Sequence, residues 1–274
     1  MNVNPNELLY LIPGLGMMLV AAVALLYWRR VSRVPIRWFW VGAGLWTVAV
    51  LLKIVCAVLT NAAVIGAMKE TLPYPLLVLG GGLYVGIQSS LFEMGFTLLA
   101  VLVWRQLGRD AGRAIAIGVG AGAFEAFLLG IVSLAAMLAM LAGVPGTEPI
   151  RDQLEGVTAL TPVAWLAAPA ERIIAILCHA STRALILLGA VRRRPMMVFW
   201  GFLIFTLLDG VAGAAHVSGK LGSFSVWWIE LAILPFAVAS VPILQWCYSR
   251  WRDPGEEPVE SAVDAGPTPW DGPQ

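Results

Sequence analysis

Residues 114–142 read AIAIGVGAGAFEAFLLGIVSLAAMLAMLA, a run whose only charged member is Glu125. A helix needs about 20 mostly apolar residues to span the hydrocarbon core of a bilayer. This stretch therefore predicts a transmembrane helix. Because the run is longer than that minimum, we expect the helix to tilt or to extend past the membrane.

The composition of the whole chain points to the same class of protein. Of the 274 residues, 59% are hydrophobic and 13% are charged, whereas a soluble domain has about 25% charged residues. The formal net charge is +1, so no nucleic-acid partner is expected and the lipid bilayer is the expected surrounding. The cysteines show no metal-binding spacing and lie in apolar runs, which is typical of core residues.

Six further stretches are long and apolar enough to span a membrane, so we predict an all-α, polytopic bundle of about seven transmembrane helices. The predicted spans are 8–28, 38–60, 83–106, 114–142, 163–191, 195–215 and 224–247. The short piece 72–80 contains two prolines and is predicted to be an interfacial loop. A short surface helix is expected near 150–157.

The arginines divide the loops into two kinds. They cluster after the first, third, fifth and seventh spans, at residues 29–37, 105–113, 192–194 and 250–252. Basic residues mark cytoplasmic loops, so the N-terminus is predicted outside and the C-terminus in the cytoplasm. We expect a multi-pass protein of the cell (plasma) membrane.

The chain divides into two parts of different composition. Residues 1–250 are predicted to form the seven-helix transmembrane domain. Residues 251–274 are rich in proline, glycine and acidic side chains, cannot bury a core, and are predicted to be a disordered cytoplasmic tail.

Several ionisable residues fall inside the predicted spans, where such groups are costly and usually functional. They are Lys53, Glu93, Glu125, Glu171, Arg172, His179, Asp209 and Glu230. At a rise of about 1.5 Å per residue, five of them on five helices lie roughly 16–22 Å from the cytoplasmic ends. The five are Lys53, Glu93, Glu125, His179 and Asp209. A shared depth predicts a common site, although a Lys53–Glu93 ion pair that only fixes helix packing would also explain those two.

Local spacing adds two expectations about this site. Gly118 and Gly122 are four residues apart, so they share a helix face and allow a neighbouring backbone to approach closely. That approach would place Glu125 against another helix rather than lipid. Arg172 and His179 are seven apart and also share a face.

These motifs carry a family resemblance. The segment GVGAGAFEA at 118–126, the pair Glu171-Arg172 followed seven residues later by His179, and Asp209 on the next span resemble the YhfC-type intramembrane metalloproteases. That group is distantly similar to the CAAX-prenyl-endopeptidase-like and PrsW-like membrane proteases. The resemblance implies a catalytic site inside the membrane that contains Glu125, Glu171, Arg172 and His179.

The resemblance also implies a metal, for which His179, Asp209 and Glu125 are the candidate ligands. Their shared depth makes Lys53 and Glu93 supporting residues of the same site. The sequence departs from the family pattern at Phe205, where a second histidine is expected. A catalytic zinc typically has three protein ligands and an open water position. A zinc ion is therefore the expected cofactor only if other side chains replace the missing histidine.

The leading hypothesis is an intramembrane protease that hydrolyses peptide bonds with either a metal or a glutamate. With a metal, His179, Asp209 and Glu125 or Glu93 would supply the ligands, and the remaining carboxylate would be the base. Without one, Glu125 would activate water, and His179 or Arg172 would stabilise the oxyanion. The substrate would be a membrane-embedded or lipid-linked peptide.

Two alternatives remain open from the sequence. The chain could be a catalytically inactive relative that acts as a membrane binding or helper protein. It could also be a small proton-coupled transporter that uses the carboxylates near the midplane. The oligomeric state is left open by the sequence.

Overall fold

The computed structural model describes residues 5–251, with side chains described from Leu8 onward. Residues 1–4 and 252–274, which include nearly all of the predicted tail, lie outside the described residues, and the two-part division stays a prediction. The described chain is entirely helical apart from its connections. Its α-helices are α1 (Ile12–Ser32), α2 (Arg37–Thr71), α3 (Tyr74–Val103), α4 (Ala111–Leu141), α5 (Glu148–Leu160), α6 (Ala167–Val191), α7 (Pro195–Val217) and α8 (Trp227–Arg250).

Seven of these helices are long and apolar enough to cross a membrane. This confirms the predicted all-α bundle of about seven spans, and the chain is a multi-pass membrane protein. The exception is α5, which has no buried residue and follows a short connection after α4. It corresponds to the surface helix expected near 150–157.

The prediction of an interfacial loop at 72–80 is wrong. Only Leu72 and Pro73 connect α2 to α3, which begins at Tyr74. Pro75 lies in the first turn of α3, where proline is tolerated because the N–H that it lacks would have no helical partner. The prolines therefore mark the start of a spanning helix rather than a loop.

Helix α6 lies at the centre of the bundle, with α1, α3, α4, α7 and α8 around it. Its approach to α4 depends on two glycines. A Cβ on Gly118 would lie 2.6 Å from Ala180 Cα, and one on Gly122 would lie 3.0 Å from Ile176 Cα. This confirms the close approach predicted from the glycine spacing, and it brings Glu125 against α6.

Helix α2 packs closely only along the half that begins at Arg37. Its buried residues are Trp38, Phe39, Gly42, Ala43, Trp46 and Ala49. A Cβ on Gly42 would lie 1.9 Å from the carbonyl oxygen of Ile117 on α4, so the two backbones are nearly in contact. Beyond Ala49 no residue of α2 is buried.

One end of the bundle collects the arginine-rich connections. The Trp28 side chain on α1 donates to the Gly112 carbonyl at the start of α4, and Ala111 N donates to the Trp251 carbonyl after α8, both at 3.2 Å. We call this the arginine-rich end and the other the opposite end. The arginines there are Arg29, Arg30, Arg33, Arg37, Arg105, Arg109, Arg113, Arg192, Arg193, Arg194 and Arg250. Its location in the cytoplasm stays a prediction.

Candidate active site

Glu125 is held by two side chains of the neighbouring helix α6. Its Oε1 accepts a hydrogen bond from Arg172 Nη1 at 2.8 Å, and its Oε2 lies 2.8 Å from His179 Nε2. Arg172 and His179 reach the same carboxylate because they share a face of α6, as their spacing predicted. The Glu125 side chain is 21% exposed, so it is not sealed by these partners.

The partners of His179 determine which nitrogen carries its proton. The Nδ1 atom is hydrogen-bonded to Arg183 Nη1. Because a guanidinium can only donate, Nδ1 must accept, and a neutral ring then carries its hydrogen on Nε2. That hydrogen points to Glu125. Both ring nitrogens are therefore engaged by protein groups.

Arg183 is fully buried and connects His179 to a second carboxylate. Its Nη2 donates to Glu93 Oε2 at 3.0 Å, and its guanidinium lies 5.9 Å from the centre of the Phe205 ring. The same phenylalanine packs edge-on against His179, with ring centres 5.2 Å apart. Phe205 thus occupies apolar space beside the histidine, while Arg183 holds the imidazole ring through Nδ1.

Glu93 and Asp209 are joined through Lys53 and Ser89. Lys53 Nζ donates to Glu93 Oε1 at 2.7 Å and to Ser89 Oγ at 2.9 Å. Ser89 in turn donates to Asp209. The five residues expected at one depth therefore form one continuous polar network. The network contains all of the site residues that the sequence predicted, which are Lys53, Glu93, Glu125, Glu171, Arg172, His179 and Asp209.

Charge in this network is nearly balanced. Glu93 is paired with Lys53 and Arg183, and Glu125 with Arg172. Arg172 also pairs with Glu171, whose side chain is 38% exposed and lies at the edge of the site. Buried charges persist in proteins when they are paired and hydrogen-bonded, which explains how so many ionisable groups remain at membrane depth.

A family model described as YhfC intramembrane metalloprotease matches residues 16–231. The chain belongs to the YhfC family. No curated protein and no solved structure matches it. The matched region includes every residue of the network, so the family resemblance found on a few motifs extends over most of the seven spans.

The metal implied by the family description does not fit the side chains as they are arranged. Within residues 5–251, no three histidine, cysteine or acidic side chains are grouped to hold a metal ion. Glu125 lies 2.8 Å from Nε2 of His179, whereas Glu93 lies 3.9 Å from Nδ1. Because these nitrogens point in different directions, the two carboxylates and the ring cannot converge on one ion. Binding zinc would require His179 to release Glu125 or Arg183.

A groove of about 690 Å³, lined by both polar and apolar residues, leads to this network. Lys53, Glu125, Arg172 and Asp209 line its deep end, and Lys69 lines it near the end of α2. The groove is therefore open towards the opposite end of the bundle. Of the paired carboxylates, Glu125 lines it, while Glu93 does not.

Two members of the network were not among the predicted site residues. Ser89 lies four residues before Glu93, and Arg183 lies four residues after His179, so each is one helical turn from a predicted site residue. That spacing is a signal that the sequence offers. Because His179 is itself a predicted site residue, the same spacing places Arg183 on the face of α6 that is directed inward.

Proposed function

We propose that this protein hydrolyses peptide bonds within the membrane, with Glu125 as the general base. One observation carries the proposal. The Glu125 carboxylate is oriented by Arg172 and His179 and lines a groove in the membrane-spanning part of the bundle. A carboxylate with a fixed orientation that faces an open groove can reach a water molecule there, which general-base catalysis needs.

In the proposed reaction, Glu125 takes a proton from a water molecule in the groove while the water oxygen bonds to the peptide carbonyl carbon. The carbonyl oxygen then carries negative charge, which the Arg172 guanidinium and the Lys53 ammonium would stabilise. When the C–N bond breaks, Glu125 returns its proton to the leaving amine. The water is thus divided between a new carboxyl group and a new amine.

His179 acts in this scheme through its neutral Nε2–H, which keeps the Glu125 carboxylate in one orientation. Arg183 is a positioning residue because it holds Nδ1 of that ring. No step is routed through a metal, since Glu125 and His179 are bonded to each other and to Arg172 and Arg183, and Asp209 accepts from Ser89.

Purified protein in liposomes, incubated with a panel of synthetic single-span peptides, provides the test. We expect wild-type protein to cut at least one peptide, and Glu125→Gln to lower the rate by at least about 100-fold, the usual size of a general-base contribution. Glu155→Gln on the exposed helix α5 is the matched control and should be unchanged. Full cleavage by Glu125→Gln would end the proposal.

A second candidate is a peptide-binding relative without catalysis. It is favoured by the cations already paired with Glu93 and Glu125 and by Phe205 beside His179. It predicts that no peptide of the panel is cut, while Glu125→Gln leaves peptide binding intact. The same assay with a binding readout separates the two candidates.

We also propose that the protein resides in the cell membrane with the arginine-rich end in the cytoplasm, as the positive charges favour. Single cysteines placed in the connections after α1 and after α2, on a cysteine-free background, can be labelled with a membrane-impermeant reagent in intact cells. We expect only the cysteine after α2 to be labelled. Labelling of only the cysteine after α1 would show that the orientation is the opposite one.

A further inference from the structure

The groove has distinct walls and a distinct floor. Lining residues of α2 recur at Lys53, Ala57, Asn61 and Lys69, which lie on one face of that helix. Helix α3 lies between α2 and α7 and contributes Gln88 to the lining. The groove therefore runs lengthwise between α2 and α7 and ends at Glu125.

We propose that this groove binds one membrane-inserted peptide segment in an extended conformation, that the segment enters from the opposite end, and that Gln88 and Asn61 hydrogen-bond its backbone. This inference rests on the proposed function for the identity of the bound molecule. It adds the conformation of the substrate and the residues that bind it.

The free polar atoms of the groove favour an extended chain over a helix. A helical segment satisfies its backbone N–H and C=O groups internally, so it has few of them to offer to side chains of the groove. Between Lys53 and Lys69, α2 rises about 24 Å, and an extended chain of about seven residues spans the same length.

Small residues on both walls leave room for the side chains of the bound segment. Ala57 lines the groove from α2, and Ala212 and Gly213 line it from α7. A segment whose backbone lies close to the floor would therefore have space for its side chains along these walls.

Gln88 and Asn61 offer one acceptor and one donor to that backbone. Gln88 Nε2 donates to Asn61 Oδ1 at 3.3 Å, and Tyr84 Oη donates to the same oxygen at 3.2 Å. Within residues 5–251, these bonds leave Gln88 Oε1 and Asn61 Nδ2 without a hydrogen-bond partner. A peptide unit presents one N–H and one C=O, which matches the free acceptor and the free donor.

Two polar residues of the lining favour a peptide over a lipid chain as the occupant. Besides the site residues, Asn61 and Gln88 face the groove among apolar side chains, while Lys69 and His216 lie exposed near its open end. An acyl chain cannot hydrogen-bond to Asn61 or Gln88, and covering polar atoms without giving them partners costs free energy. A peptide backbone can satisfy them.

The test uses fluorescent single-span peptides and full-length protein in nanodiscs, in the Glu125→Gln background so that no peptide is cut. Gln88→Met should weaken binding about tenfold, and Gln153→Met on exposed α5 is the matched control. A peptide locked as a helix by α,α-dialkyl residues should bind at least tenfold more weakly than its unmodified form. Equal binding by Gln88→Met, or by the locked peptide, would overturn the inference.

A backbone-ester scan keeps the test independent of any variant's folding. Each peptide replaces one amide by an ester and so removes one N–H. We expect a single position to weaken binding about tenfold to the Glu125→Gln protein, and that position to lose its effect when Gln88 is also replaced by Met. A flat scan would contradict the proposed contact. Binding with these properties but no cleavage by wild-type protein would overturn the hydrolase and leave the groove inference standing.

Discussion

The half of α2 that begins at Arg37 carries the buried residues of this helix and meets the α4 backbone at Gly42, whereas the half that ends at Thr71 borders the groove. Both halves are apolar helix of the same segment, yet every buried residue of α2 precedes Lys53. Apolar sequence brings a helix into the membrane, but glycines at the contact determine where it packs against protein. The site lies where the packed region gives way to the groove.

The largest effect that would test this division is expected at Arg183, which is on the packed side. Arg183→Met should lower the free energy of unfolding by about 3–5 kcal/mol, because it removes one partner of a buried ion pair. Arg172→Met on the groove side should cost less, since Glu125 can be hydrated there. Unfolding in detergent micelles measures both, and equal losses would contradict the division.

In the same Arg183→Met protein, the tautomer of the His179 ring should also change. A purely structural role of Arg183 would not require that change. With its arginine gone, Nδ1 of His179 no longer has a fixed donor, so the nitrogen-15 shifts should show a mixture of ring forms. The chain has two histidines, and a His216→Gln background leaves one signal. An unchanged shift would show that Arg183 does not set the tautomer.

Glycines on α2 allow a matched comparison of the two halves. Gly42→Ala should destabilise the protein by about 1–3 kcal/mol, because the new methyl group would meet the α4 backbone. A Cβ added to Gly44 or Gly66 would meet no atom of a neighbouring element within 4 Å, so alanine there should be neutral or slightly stabilising. Thermal unfolding of the three variants measures these effects. A loss of stability in Gly66→Ala would mean that the second half of α2 is packed.

Behind the site, α6 and α8 share a buried hydrogen bond between Ser181 Oγ and Ser240 Oγ at 2.8 Å. Ser240→Ala should cost about 1 kcal/mol, the net value of a typical hydrogen bond. Replacing both serines with alanine should cost less than the two single changes added together. Additive losses, measured by unfolding, would indicate that the two hydroxyls do not interact.

The smallest effect is expected at Lys69, which is exposed at the open end of the groove. Lys69→Ala should change the unfolding free energy by no more than about 0.5 kcal/mol, because surface changes away from buried features rarely do more. A larger loss would show that Lys69 takes part in packing and that the groove is narrower at this end.

Much of the fold follows from the sequence because lipid imposes a simple rule on helix length. Seven spans, the glycine contact at Gly118 and Gly122, and the shared face of Arg172 and His179 could all be predicted. Pro73 and Pro75 led to the wrong prediction of a loop at 72–80. Proline breaks a helix when it lies in the interior, but it is common in the first turn.

The arrangement of the site was harder to foresee. Counting residues along a helix gives the depth of a side chain but not the direction in which it points. Depth predicted that Glu93, Glu125 and His179 share a level. It could not predict that the two carboxylates approach different nitrogens of the His179 ring. That arrangement follows from the rotation of α3 and α4 about their own axes.

The length of α2 makes bilayer thickness relevant to this protein. Its 35 residues extend about 50 Å, against a hydrocarbon core of about 30 Å. Even a tilted helix of this length reaches past the acyl chains into the headgroups. A thinner membrane would expose more of the groove to water and a thicker one would enclose it. The lipid composition of the host membrane would thereby regulate how readily water and peptides reach Glu125.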